Sequence, residues 1–300
     1  MTTAAAVADE LLARFLADGR APGAALVATD RGAVVLERYV GLADVAAGRP
    51  VDAGTAFQIG SITKVVTALL VLREHRAGRV DLHAPVRSYL PWLPERPYAT
   101  RTPYQLLSHT AGLPPGSDLS PDSPYMALSA VVPDAAEPGS FAYSDAGFQV
   151  LGLLLEAVTG RPYPELVRRA LLEPLGMASS HPAITHDNRA AQAVAYVGSH
   201  DDRTVEAGHG LVPARYFTYG AADGSMVCTA RDLAAFAAVL ADRGAGVLDA
   251  EGWELFSTPV ADVDDVEQMC LGVFREDGVL NHGGSMVGFE AVLYADPAAG

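Results

Sequence analysis

Apolar positions along this chain fall into runs of different period, and the periods predict the elements. The opening stretch, "MTTAAAVADELLARFLADGRAPG", mixes apolar residues with Asp9, Glu10 and Arg14 and reads as an amphipathic helix. Next, "GAALVATDRGAVVLERYVGLAD" predicts a hairpin, with strands over 24–29 and 33–39 and a turn at Asp30-Arg31-Gly32. Residues 61–78 predict a long helix that stops at Gly78. The run "VVTALLVL" makes that helix apolar nearly all round, the pattern of a buried helix. Between about 85 and 140 the chain is rich in Pro and Gly, with a short helix near 103–109. Helices follow over 144–158, ended by Gly160, over 164–172, and over 230–242. A final segment from Gln268 to Asp296 alternates as strands do. Strands thus stand at both ends with helices between them. They predict an α/β (α+β) fold: a mostly antiparallel sheet drawn from both ends, flanked by helices, with an inserted helical subdomain.

Composition narrows the function. The chain has 300 residues, 50% hydrophobic and 19% charged, and a net charge of −15. That describes a packed globular protein and disfavours nucleic acid or an anionic membrane as partner, since phosphate binding needs clustered Lys and Arg. No stretch approaches the ~18 uninterrupted apolar residues of a membrane span. The start lacks the basic and apolar regions of a signal peptide. The only two cysteines, Cys228 and Cys270, lie far apart and show no metal spacing, so free thiols in a reducing, cytoplasmic setting are expected.

Charge also points to chemistry. Among 21 basic residues there is a single lysine, Lys64, and it follows Ser61 by three positions at the start of the buried helix. That spacing puts the hydroxyl and the ammonium on one face, beside backbone N–H groups that have no partner within the helix. Burial disfavours a charged lysine, so Lys64 is expected to lose its proton readily, which an arginine cannot do. Ser-x-x-Lys also arises by chance, and Ser61 also reads as a plain helix cap. No serine is flanked as Gly-x-Ser-x-Gly, and His-Glu-x-x-His and phosphate-binding glycine loops are absent. A Ser–Lys pair is the nucleophilic arrangement that remains.

Five segments occur together in a telling order: "GSITK" (60–64), "LLSHTAGLP" (106–114), "PGSFAYSDAGFQVLG" (138–152), "EPLGM" (173–177) and "HGGSMVGF" (282–289). In these the chain resembles the serine β-lactamase and penicillin-binding-protein-like superfamily, in particular the class C-related branch with its esterases, D-aminopeptidases and D,D-carboxypeptidases. The resemblance covers about residues 20–295. It implies one catalytic domain over 1–300, with the α/β part at about 1–60 and 206–300 and the helical subdomain at about 65–205. It makes Ser61 the acylated nucleophile, with Lys64 and Tyr143 as acid/base. The backbone N–H groups of Ser61 and Ser285 would form the oxyanion hole, with Gly283 and Gly284 along the substrate strand. A phenol base needs nearby positive charge, from Lys64 or from a protonated His282. His109 is expected to be structural, and His181, His186, His200 and His209 are not expected to bind metal. No metal or organic cofactor is implied.

Two departures bear on the substrate. His282-Gly283-Gly284 stands where β-lactamases and many peptidases have Lys-Thr-Gly, so the groups that would grip a substrate carboxylate are missing. Asp145 replaces the Asn of many relatives, and an ionised carboxylate can only accept hydrogen bonds. It is expected to pair with Lys64 and hold it charged. The expected activity is hydrolysis of a small ester, amide or peptide, with esterase or amidase work ranked above β-lactam turnover. Acyl transfer, β-lactamase or D,D-peptidase activity and a non-catalytic penicillin-binding-like sensor are the alternatives. The sequence does not give the oligomeric state. Relatives usually continue past "FEAVLYAD" with a further strand and a helix, which this sequence is expected to lack.

Overall fold

The computed structural model describes residues 3–17, 19, 21–93, 97–113, 137–198, 211–213 and 222–299. His200 and His209 fall outside the described residues, as do parts of the loops expected to shape the pocket. The first helix, α1 (Ala4–Ala17), precedes the hairpin of β1 (Gly23–Asp30) and β2 (Ala33–Asp44). Both turn residues carry positive φ, 48° at Arg31 and 75° at Gly32, the geometry whose twist matches a two-residue hairpin. β2 runs five residues beyond the expected Tyr39. Gly41 makes this possible: its φ of 73° lets the strand pass close to Pro22 before β3 (Arg49–Pro50) joins the sheet.

The C-terminal strands form a five-stranded sheet. They are β8 (Ala261–Asp262), β9 (Glu267–Met269), β10 (Phe274–Glu276), β11 (Val279–Met286) and β12 (Phe289–Ala295), in the order β12-β11-β10-β9-β8. The mixed α/β fold with antiparallel strand pairs agrees with the sequence. Among the described residues, however, the two chain ends do not share one sheet. They meet in a separate antiparallel pair, β4 (Ala56–Gln58) with β7 (Val227–Thr229), while β5 (Tyr196–Gly198) and β6 (Leu211–Pro213) form another. Helix α7 (Ala230–Ala241) packs against both β1 and β12 and so ties the two larger sheets together.

The core is built around α2 (Thr63–Arg76). Every residue from Thr63 through Leu72 is buried, as the unbroken apolar run requires. Each buried Leu or Val contributes roughly 1.5–3 kcal/mol on leaving water, so Leu69, fully buried, would cost about 2–5 kcal/mol as Ala. Around α2 pack α5 (Asp145–Thr159), α6 (Tyr163–Val167) and α8 (Ala250–Ser257). Two short helices, α3 (Pro97–Thr100) and α4 (Pro103–Leu107), lie between α2 and α5 in the chain. Helix boundaries follow their caps. The Ser144 hydroxyl accepts from Gly147 N–H to start α5, and Gly160, φ 68°, ends it. Thr102 and Gln105 form a capping box on α4.

Candidate active site

Ser61 lies on a single 3-10 turn, Gly60–Ile62, that feeds directly into α2. The turn is pressed against β11. A Cβ on Gly60, whose φ is 49°, would lie 2.8 Å from both the N and the O of Ser285, and one on Gly284 would overlap the Ile59 carbonyl oxygen. Only glycine at both places lets the two backbones meet, which brings the Ser61 and Ser285 segments side by side. Gly283 differs: nothing lies within 4 Å of where its Cβ would be. β10 pairs with β11 only as far as Asn281, so residues 282–286 keep one edge outside the strand ladder. That edge and the space at Gly283 leave room for an extended ligand.

Lys64 is fully buried, and its ammonium has three close acceptors: Ser61 Oγ at 2.9 Å, Asp145 Oδ1 at 2.6 Å and the Asp223 carbonyl at 2.7 Å. An ammonium has three N–H donors, so these partners can use all of them. Burial acts to lower the lysine pKa, but the acidic neighbours Tyr143, Asp145 and Asp223 together outweigh it and raise it overall. The expectation that burial would make Lys64 give up its proton therefore fails. The physical reason is the set of acidic neighbours, Tyr143 first and then Asp145, which forms an ion pair with the lysine.

Ser61 and Lys64 are both close enough to the Tyr143 phenol to act on its titration. Since Ser61 Oγ accepts from Lys64, its own proton is free to point at Tyr143. The Lys64 ammonium lies 5.0 Å from the Tyr143 ring centroid. Burial raises the Tyr143 pKa, and Lys64 opposes the rise. Tyr143 also stacks on His109, ring centroids 4.3 Å apart. His109 Nδ1 accepts from Ser144 N–H at 3.0 Å, which holds the Tyr143–Ser144 backbone in place and gives this histidine a structural contact.

His282 is buried, and its Nδ1 donates to the Gly283 carbonyl at 2.6 Å. Burial and the nearby Lys64 bring its pKa down to about 3. It is neutral near pH 7 and cannot supply the positive charge allowed for it from sequence, which leaves Lys64 as the cation beside Tyr143. Ser285 is exposed, and its hydroxyl donates to Glu290 Oε1 at 2.8 Å. Both thiols are free and buried, and burial pushes each pKa up to about 12, so neither is a nucleophile. Among the described residues no three His, Cys, Asp or Glu side chains are grouped to hold a metal ion, and no helix is long and apolar enough to cross a membrane.

One part of the site has no sequence signal: residues 222–226, which α2 grips along one face. Thr67 Oγ1 donates to the Ala222 carbonyl at 2.6 Å and accepts from the Tyr163 hydroxyl at 2.7 Å. Lys64 takes the next carbonyl, that of Asp223, and Met226 N–H donates to Thr63 Oγ1 at 3.2 Å. Residues 63, 64 and 67 share a helix face, which is why three side chains reach one short segment.

The chain belongs to the beta-lactamase family, whose family model matches residues 8–300. It is 33% identical over 200 residues to the esterase EstB of Burkholderia gladioli, an alignment that takes in 58% of this chain and 50% of EstB. Over 202 residues it is 27% identical to protein flp of Staphylococcus aureus strain N315, covering 63% of this chain and 40% of flp. The chain therefore spans half the length of these curated relatives or less. In structure it is similar to the octameric penicillin-binding protein homologue from Pyrococcus abyssi: TM-score 0.85, 26% identity, 97% of this chain and 70% of that one.

Proposed function

We propose that the protein is a serine hydrolase that cleaves a small ester or amide through an acyl-enzyme on Ser61. The observation that carries this reading is the contact of Ser61 Oγ with the Lys64 ammonium, 2.9 Å away on the turn that abuts Ser285. In the first step Ser61 Oγ attacks the substrate carbonyl carbon, and its proton passes to the Tyr143 oxygen, which must be ionised to receive it. Lys64 stabilises that phenolate and stays an ammonium. The carbonyl oxygen, as it becomes an oxyanion, accepts from the Ser61 and Ser285 backbone N–H groups. Tyr143 then protonates the leaving group, and water attacks the acyl carbon by the reverse route.

An ester is preferred over a β-lactam because His282-Gly283-Gly284 lacks, at its first two positions, the ammonium and hydroxyl that would hold a substrate carboxylate. EstB, named an esterase, agrees with that preference. Free, buried thiols fit a reducing compartment, and the reading keeps the protein in the cytoplasm. The test is p-nitrophenol release from a short-chain p-nitrophenyl ester by wild type and by folded Ser61→Ala. Turnover that disappears in the variant supports the reading, and equal rates refute it. Rapid hydrolysis of a chromogenic cephalosporin alongside a weak esterase rate would favour the β-lactamase alternative.

A further inference from the structure

The carboxyl of Asp223 is the buried charge that the mechanism leaves unused. Its backbone carbonyl accepts from Lys64, but its side chain has another neighbour: Gln149 Nε2 donates to Oδ2 at 3.2 Å. Oδ1 has no hydrogen-bond partner among the described residues and is shielded from solvent. The residue as a whole keeps some surface, yet the sealed oxygen decides how the carboxyl titrates. Native proteins rarely leave a buried carboxylate oxygen without a partner, because ionising it there is costly.

Charge counting gives the reason for its state. Lys64 and Asp145 already balance each other, so an ionised Asp223 would make the buried cluster net negative. Burial raises the Asp223 pKa, Lys64 lowers it and Asp145 raises it again, with a net rise. The groups facing it are Lys64 from α2, Asp145 from the start of α5 and Tyr163 from the start of α6. Lys64 is faced in addition by Tyr143, and it acts on His109 and His282, whose pKa values burial and the lysine both lower.

We propose that Asp223 is a second positioning residue for Lys64: its backbone carbonyl aims the ammonium, and its side chain, by gaining or losing a proton to solvent, sets how firmly Lys64 keeps its own. With Asp223 neutral, Asp145 is the one carboxylate that holds the lysine charged. With Asp223 ionised, two carboxylates hold it and proton release is harder. The role rests on the reading of Ser61 and Lys64 given above, so the test observes the lysine itself.

Lys64 is the only lysine, so protein grown with 13Cε-labelled lysine gives a single side-chain resonance whose titration by NMR belongs to this residue. In wild type the resonance is expected to show a step of its own, at a pH above the ordinary Asp range and below the lysine's own titration, as Asp223 ionises. In Asp223→Asn that step is expected to vanish and the lysine's own titration to fall by about one pH unit or more. Asp223→Ala, which keeps the backbone carbonyl, should do the same. A wild-type resonance flat across that range, or an identical lysine titration in the variants, overturns the proposal. The wild-type titration decides the matter even where the variants do not fold. Were the hydrolase reading wrong instead, Ser61→Ala would keep its ester turnover while the Lys64 titration still responded to Asp223.

Discussion

Lys64 Nζ stands 2.6 Å from Asp145 Oδ1, with the lysine side chain 1% exposed and the aspartate 23%. The pair fixes the charge of the site. Removing one member of a buried pair strands the other, which costs about 3–5 kcal/mol. Asp145→Ala is therefore expected to lose about that much unfolding free energy in urea. Asp145→Asn keeps a hydrogen-bond acceptor and should lose less. It should also move the acid limb of kcat/KM to lower pH, because Lys64 and Tyr143 then give up protons more easily. An unchanged rate and pH profile in Asp145→Asn would remove the ion pair from the mechanism.

Tyr143 makes the second prediction. Burial raises its pKa above the usual 10, so the resting phenol is neutral and the reactive form gains population as pH rises. Ester turnover should climb from neutral to alkaline pH, and a rate already level at pH 7 would contradict this. Tyr143→Phe keeps the stacking on His109 but loses the hydroxyl proposed as the proton acceptor. It should fold with a Tm close to wild type and lose about 10²–10⁴-fold in kcat.

The buried imidazoles predict acid sensitivity. The buried His109 and His282, and to a lesser extent the half-buried His181, have folded pKa values below their ordinary 6.5. A group lowered on folding binds more protons when unfolded, so stability is lost as pH falls below the unfolded value. Unfolding free energy should be steady near pH 7 and decline from about pH 6.5 downwards, at up to about 1.4 kcal/mol per pH unit for each of His109 and His282, the part-exposed and solvent-screened His181 giving less. His282, at about 3, stays neutral through most of that window. Urea titrations between about pH 5 and 7 check it by difference: His282→Gln should flatten the slope by one proton, whatever Asp223, raised on folding, contributes with the opposite sign to both proteins.

The neighbouring glycines of β11 should separate. Gly284→Ala places a methyl on the Ile59 carbonyl oxygen and should destabilise the fold and disturb the Ser61 turn. Gly283→Ala meets open space and should fold as wild type, with its effect on KM if substrate lies along this strand as proposed. Thermal denaturation and steady-state kinetics on both variants test the contrast.

Local signals carried much of this into the sequence. The α2 and α5 starts were legible because Ser-x-x-Lys and the Ser144 cap mark them, and Gly78 and Gly160, both left-handed, mark their ends. Helix α8 was missed: its eight residues contain Gly252, and its start depends on the Asp249 side chain accepting from that glycine's N–H. The raised pKa of Lys64 depends on charges brought together by folding, and burial alone gives the opposite sign. Asp223 was invisible because it lies 159 residues from Lys64, in "GAADGSMV", which carries no spacing rule. An acidic residue among small, apolar neighbours was its one available sign.

The most direct test is to catch the acyl group. Wild-type protein mixed with a p-nitrophenyl ester, quenched with acid during turnover and digested, should carry the acyl mass on the peptide containing Ser61, and Ser61→Ala should carry none. Steady turnover with the acyl group on another residue, or the same adduct in Ser61→Ala, would contradict the account.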